Sequence, residues 1–519
     1  MGKFLLGLLL LFVVMQDVHT QSKSKNGNYY YKLKTYDRAI KGFERELKKN
    51  PDDENLLAKL ADSYLKSNLN RALALPYATE LVKKDPSVPD VLMYGKALFY
   101  SDKYRLALEQ FEEVKKKTKS DSEEFKEAQQ YSEWLINAQA YKNKPVDVSF
   151  INVGKKINTD KDELNPMVAG NDKLLMYSNN KRYHSKIGIY YYNICVSENH
   201  NLEWSKAKTI GSSINSGYDE IVSGLTKDGK TLFIHHNRDW IEQIGYASYL
   251  GNNKFSRMEP FDDRWSRKKG AFGVWQSSST DTLLFVGETE TGNTDIFYVL
   301  KLPNGAYGAA RAVPGRINTP ANEDFPVLTE NGKRLYFSSN GSASMGGYDL
   351  FYSDWDEDKN EWGEPINLGY PVNDAYDNYT ITHTNGARYA YVAAIRPEGY
   401  GERDIYKLVF NEHSAPNMIL RCKASLQTDS GNIVPPYSLR AALHDSISGD
   451  LVGRYASSAD SAKFAIALEP GKYLLNFYNK DSLLLSTPLN IPEAWFDNIP
   501  QDKEFILPKK KSKSEKESK

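Results

Sequence analysis

Hydrophobic and polar positions change period along the chain and divide it into regimes. After an unbroken apolar run from Phe4 to Met15, the stretch from about Asn28 to Tyr141 repeats apolar side chains at spacings of three and four, the period that lines one face of a helix. Pro51-Asp52-Asp53 and Asp85-Pro86 punctuate it as helix starts, because a proline costs nothing where a first turn leaves its N–H unpaired. From Val146 to about Phe410 the pattern becomes short apolar runs separated by Gly, Asn and Asp, which predicts strands and turns. A last set of strands, among them MILRCKASL, YSLRAALHD and KYLLNFYNK, fills the region to about Leu507.

Within the helical stretch, Tyr36, Ala39 and Phe43 recur as Tyr104, Ala107 and Phe111, 68 residues later. That is twice the 34-residue period of a helix-turn-helix solenoid. A weaker middle copy, NLNRALALPYATELVKKDP, carries Ala72 and Ala78 as its small residues. The words YDRAIKGFERELKKNPDD and YRLALEQFEEV resemble the tetratricopeptide family. The resemblance implies three repeats over residues 24–142, with a capping helix from about Ser122 to Tyr141 to cover the apolar end of the array.

The middle region contains five copies of a longer unit, clearest in EDFPVLTENGKRLYFSSNGSASMGGYDLFYSDWDEDKNEWGEPINLG. Its turn positions are Asp172, Gly229, Asp281, Gly332 and Gly386, at spacings of 57, 52, 51 and 54. The third strand recurs as GIYYY, GYASY, DIFYV, DLFYS and DIYKL, so each copy holds four short strands, as a propeller blade does. Asn331-Gly332 is expected to close a two-residue hairpin, since both residues tolerate the positive φ it needs. The segment VDVSFINVG, from Val146 to Gly154, reads as the fourth strand missing after Phe410. Joining the two ends would close the ring and remove exposed edges, which favours five blades over six. LTENGKRLYFSSN followed by GGYDLFY resembles the WD40-like repeats of the TolB type.

In the last regime, ALEPGKYLL resembles the corner of a carboxypeptidase-regulatory-like, transthyretin-like sandwich. The expected organisation is multidomain, α then β: a signal peptide (1–20), a tetratricopeptide solenoid (24–142), a five-bladed β-propeller (146–411), a small β-sandwich (417–507) and a disordered Lys-rich tail (508–519).

Composition narrows the partners. Lys plus Arg and Asp plus Glu both number 67 in 519 residues, a balance that gives no overall field to attract nucleic acid. Lys3, the apolar run and Val18-His19-Thr20 have the grammar of a secretory signal peptide, which predicts export. The run is too short for a membrane span, which takes about 20 residues. Cys195 and Cys422 fall in different expected domains and are read as free thiols.

Motifs for catalysis are sparse. No Gly-x-Ser-x-Gly elbow, phosphate-binding GxxxxGK[ST] loop or HExxH pair occurs. His235 and His236 would point to opposite faces of a strand and could not share a metal. Asp354, Asp356 and Asp358 imitate the start of a calcium loop, but Lys359 and Pro365 stand where its glycine and bidentate glutamate belong. Trp240, Trp265, Trp275, Tyr370, Tyr376 and Tyr379 are candidates to line a propeller face. No cofactor is called for.

In domain order as well as motif, the chain resembles the PorE-like envelope proteins of the Bacteroidota type IX secretion system. The resemblance implies an accessory part in moving cargo across the outer membrane. Members of that family add a lipid-modified cysteine and an OmpA-like C-terminal domain. Here position 21 is Gln and the sandwich runs into PKKKSKSEKESK, so attachment is expected through partners. The expectation is an exported, periplasmic, non-enzymatic scaffold, held at the outer membrane by envelope or secretion-system proteins. A propeller-based sensor of glycan or peptide is the alternative.

Overall fold

The computed structural model describes residues 26–169, 172–186, 188–200, 203–238, 241–251, 254–261, 273–277, 281–329, 331–384, 388–411, 418–427, 433–434, 439–457, 463–469, 471–479, 482–491 and 501–508. The expected signal peptide, the tail after 508, Trp240, Trp265 and Gly386 lie outside these residues.

Seven α-helices occupy the first region among the described residues: α1 (Gly27–Lys32), α2 (Tyr36–Leu47), α3 (Glu54–Lys66), α4 (Leu75–Leu81), α5 (Val88–Tyr100), α6 (Tyr104–Lys117) and α7 (Glu123–Lys142). Side-chain caps fix several starts. Asp53 accepts from Leu56 N at 3.1 Å and Ser122 from Phe125 N at 3.2 Å, while Ser87 and Asp90 form a reciprocal capping box. Ala39, Phe43, Ala107 and Phe111 are fully buried. Each phenylalanine packs on a glycine of the preceding helix, and these glycines are 68 residues apart as well. A Cβ on Gly27 would lie 2.6 Å from the Phe43 ring, and one on Gly95 2.7 Å from Phe111. Close helix packing is therefore written into the repeat, although the sequence reading passed over both glycines. No described helix is long and apolar enough to cross a membrane.

The middle region is a β-propeller of antiparallel sheets. Sheet I holds Glu163–Val168, Leu174–His184, Ile189–His200 and Glu203–Trp204, and sheet II holds Asp219–Leu225, Thr231–Arg238, Ile241–Gly251 and Lys254–Phe255. Sheet III holds Val274–Gln276, Thr282–Glu288, Thr294–Leu300 and Arg311–Ala312, and sheet IV holds Glu323–Leu328, Arg334–Ser339, Asp349–Asp356 and Glu361–Trp362. Sheet V is Thr382–His383, Tyr389–Ala394 and Asp404–Phe410, completed by Val148–Asn152 from the start of the region. That strand pairs from Val148 opposite Phe410 to Asn152 opposite Tyr406. The first strands of the sheets stand innermost and line a central channel.

Two features of these sheets differ from the sequence reading. The Asn331-Gly332 turn is not a two-residue hairpin. Thr329 N donates to Arg334 O at 2.9 Å across a four-residue loop, and Arg334 N donates to the Thr329 hydroxyl at 3.0 Å. Asn331 serves as a side-chain acceptor for that hydroxyl and for Lys333 N, and Gly332 takes a φ of +68°. The same closure joins Ala169 to Leu174 and Thr226 to Thr231.

The second feature was missed. Asn158, Asn215, Asn318 and Asn373 each accept from and donate to the backbone of one third-strand residue, respectively Ile405, Ile194, Ile296 and Leu350, at 2.8–2.9 Å. Each follows a buried Ile157, Ile214, Ile317 or Val372. The amide satisfies an N–H and a C=O at once, so it extends the sheet as one more peptide would. The words KKIN, SSIN, GRIN and YPVN carried this signal.

The last region packs two sheets. Ile433–Val434, Met418–Gln427 and Lys463–Leu468 form one, with Gln501–Leu507 parallel to Met418–Gln427; Leu451–Ala456, Leu439–Asp445, Gly471–Asn479 and Ser482–Ile491 form the other. Leu443, Ile466, Leu475, Phe477 and Leu507 fill the space between them. Tyr473 donates its hydroxyl to Glu469 O at 3.0 Å, pinning the turn that the sequence marked. Cys195 and Cys422 are both free and buried.

Removing one staple tests how much the sheets depend on it. Asn373 is fully buried, and Asn373→Ala is expected to lower unfolding free energy by about 2–4 kcal/mol, because Leu350 N–H and C=O lose their partners together. Urea unfolding of this variant beside the exposed Asn143→Ala, expected to change by less than about 0.5 kcal/mol, measures the difference.

Candidate binding channel

The two ends of the channel are treated differently, and contacts from the helical region decide this. Thr35, before α2, donates to Gly188 O at 3.1 Å. Arg38 lies 3.7 Å above the Tyr183 ring and donates to the Tyr190 hydroxyl at 3.1 Å. Arg71 N donates to the Tyr376 hydroxyl at 3.1 Å, and Asn137 donates to Ser342 O and Ser344 O at 2.7 and 2.8 Å. These contacts reach sheets I and IV and the loops between IV and V. All fall where first strands begin and second strands turn into third, so the helices lie across one end of the propeller.

At the centre of this contact is a buried ion pair. Arg403 donates to both oxygens of Asp162, at 2.7 and 2.6 Å, and Asp162 also accepts from Tyr192 and, at 3.0 Å, from Asn68 after α3. Asp162 is fully buried and Arg403 nearly so. Burial opposes the guanidinium charge, but Asp162 beside it raises its pKa well above the usual value. Neighbouring Glu402 is pushed up to about 8, first by burial and then by the charges of Asp162 and Asp37. It therefore holds a proton at neutral pH while Lys161 pairs with Asp37 at 3.2 Å.

The opposite end of the channel is open. A cavity of about 350 Å³ is lined there by Met167, Trp275, Phe325, Thr382 and His383, with Lys227 among its polar groups. The Ser223 and Thr384 hydroxyls also line it, are buried, and have no hydrogen-bond partner among the described residues. Neighbouring first strands crowd together deeper in: a Cβ on Gly224 would lie 1.9 Å from Val274 O, and one on Gly273 2.5 Å from the Phe325 backbone. Asn165 and Phe325 occupy matching places in sheets I and IV, each at a left-handed φ, +51° and +47°, and each before a proline. A phenylalanine in that region is strained by about 1–3 kcal/mol, held by the packing around it. The walls combine apolar surface with a few hydroxyl, imidazole and ammonium groups, a lining suited to binding. No carboxylate contributes to it among the described residues.

The residues singled out by sequence scatter over these features. Trp275 lines the channel, and Tyr379 packs near it against Phe325, with ring centroids 6.2 Å apart. Tyr376 and Tyr370 instead lie beneath the helices, facing Arg71 and Lys142. His235 is buried, and His236 approaches Glu220 at 3.3 Å. Asp354 forms a two-pronged pair with Arg334, at 2.6 and 2.8 Å, and Asp356 accepts from Lys359. These carboxylates are taken up by the chain's own cations, and among the described residues no three His, Cys, Asp or Glu side chains converge as a metal site. Asp172 and Gly229 take left-handed φ values of +50° and +71° at their turns, as Gly332 does. Asp281 accepts from Lys301 N at 2.7 Å.

No family model matches the chain, and no curated protein matches it. Solved structures do. A glycoside hydrolase matches at 12% identity with a TM-score of 0.37, over 52% of this chain and 94% of that one. A putative TolB from Agrobacterium tumefaciens matches at 13% and 0.30, over 49% and 77%. A β-1,2-mannobiose phosphorylase from Listeria innocua matches at 10% and 0.32, over 51% and 98%. At these identities none lends this chain a substrate or a reaction. The expectation of a non-enzymatic chain is corrected here all the same, because the chains it is matched with include a hydrolase and a phosphorylase, and a fold of this kind does not fix function.

The ion pair beneath the helices gives a direct test. Asp162→Ala would leave Arg403 buried without its counter-charge, a change expected to lower stability by about 3–5 kcal/mol. Denaturant unfolding measures the loss, and limited proteolysis should cut the helical region faster than in the unaltered chain.

Proposed function

We propose that the chain is an exported binding scaffold of the bacterial envelope. In this reading a three-repeat tetratricopeptide array and a five-bladed, TolB-type propeller act as one rigid unit, extended by a carboxypeptidase-regulatory-like sandwich. The observation that carries it is the docking of the helices across one propeller end, through Arg38, Asn68, Arg71 and Asn137. Such a layer keeps its groove and the open channel at fixed spacing, so that two partners are held in a set relation. Solenoid grooves and rigid propeller faces suit peptide segments and folded partners alike. The domain order, with its likeness to PorE-like proteins, supports an accessory role in type IX-like secretion, attached through partners. Mild crosslinking of the full chain in envelope fractions, followed by co-purification, is expected to recover envelope or secretion components; recovery of none would sink the proposal.

The unpartnered Ser223 and Thr384 hydroxyls in the channel favour a second reading, a sensor of a glycan or an extended peptide. Thermal melts with neutral oligosaccharides and short peptides are expected to give a rise of about 2–4 °C for each kcal/mol of ligand stabilisation. A rise that persists unchanged in Trp275→Ala would place the ligand elsewhere.

A further inference from the structure

A second cavity, of about 550 Å³, lies on the flank of sheet I, away from the channel. The loop from Lys155 to Thr159 and the segment from Lys206 to Asn215, whose Lys208–Thr209 pairs with the third strand, form its sides. Its mouth carries Lys155, Lys156, Lys181, Arg182 and Lys206, all exposed. Its floor is buried and polar. Asn193, only 6% exposed, lines it with a side-chain Nδ2 that has no acceptor among the described residues. A buried amide donor is almost always satisfied, so this one awaits an acceptor from outside the chain.

The surrounding groups leave the positive charge standing. Lys156 is partly offset by Glu203 at 3.0 Å. Arg182 spends one Nη1 hydrogen bond on Ser216 O at 2.7 Å. Beneath the floor, Glu163 accepts from Asn179 and Thr159, and burial above all pushes its carboxyl up to about 8, so at neutral pH it contributes little negative charge. The Cys195 thiol on the floor is pushed up to about 12 by burial and stays protonated. Cations at the mouth and a neutral donor at the floor suit a compact multivalent anion with several acceptor oxygens.

We infer that this cavity binds a phosphate group, seated on the Asn193 amide and neutralised by Lys181, Arg182 and the lysines of its two sides. The group could be free phosphate or that of a lipid headgroup, and experiment separates the two. Titration calorimetry of the full chain with inorganic phosphate is the first arm, and flotation with vesicles of phosphatidylglycerol in phosphatidylcholine the second. Asn193→Leu and the double variant Lys181→Gln/Arg182→Gln are each expected to weaken binding tenfold or more, with Lys254→Gln on sheet II unchanged. Phosphate binding without flotation assigns a free ligand, and flotation lost in the double variant assigns a headgroup. Because Asn193→Leu alters a buried site, its melt is compared with that of the unaltered chain. If it does not fold, the exposed double variant decides. The inference fails if the unaltered chain binds neither probe, or if the double variant binds as tightly as the unaltered chain.

Discussion

Pairing of Val148–Asn152 with Asp404–Phe410 ties the beginning of the propeller to its end, and most of the architecture depends on it. Without that strand, sheet V would end on an open edge and the circuit of first strands would not be held shut. Closure lets neighbouring sheets approach as tightly as Gly224 and Val274 do. It also fixes the helices, because α7 ends at Lys142, only a few residues before the closing strand, and Val146 N donates to Tyr370 O at 2.7 Å on the way.

The same seam holds a buried ion pair between the first and last sheets of the propeller. Asp162 stands just before the first strand of sheet I and Arg403 just before the third strand of sheet V, so their pair bridges the ends of the circuit while Asn68 joins from the helices. A buried pair of this kind adds little net stability, since desolvation offsets most of the attraction, but it strongly disfavours arrangements that separate the partners. Its effect is to hold the two ends of the circuit together, and the Asn68 hydrogen bond to Asp162 ties the helical layer to that seam. One channel mouth is covered by the helices and the other is left open.

Much of the fold was legible because local rules repeat. Apolar periodicity separated the helices from the strands, and the 68-residue recurrence located Phe43 and Phe111 in their core. The closing strand was found because EWGEPINLG and VDVSFINVG share a pattern. Elsewhere the sequence misled or fell silent. Asn331-Gly332 looked like a two-residue hairpin, but the Thr329 hydroxyl captured the N–H of Arg334 and lengthened the loop. The asparagine staples were visible as a repeated Ile-Asn or Val-Asn, yet nothing local says that the amide will meet a backbone some twenty residues or more away. Familiar catalytic motifs are absent from the sequence, but such an absence does not exclude catalysis, because propellers build their sites from residues of several sheets.

By itself, then, the sequence determined the order of helical and strand regions and the interval at which Phe43 recurs as Phe111, because these follow from spacing along the chain. Only the tertiary structure decided which channel end the helices cover, that Asp162 meets Arg403, and that the Asn193 side-chain amide lies in a cavity whose mouth carries Lys181 and Arg182. Those outcomes join residues separated by up to 305 positions or by sheet edges. Such pairings are set by closure of the whole circuit, which no local period encodes.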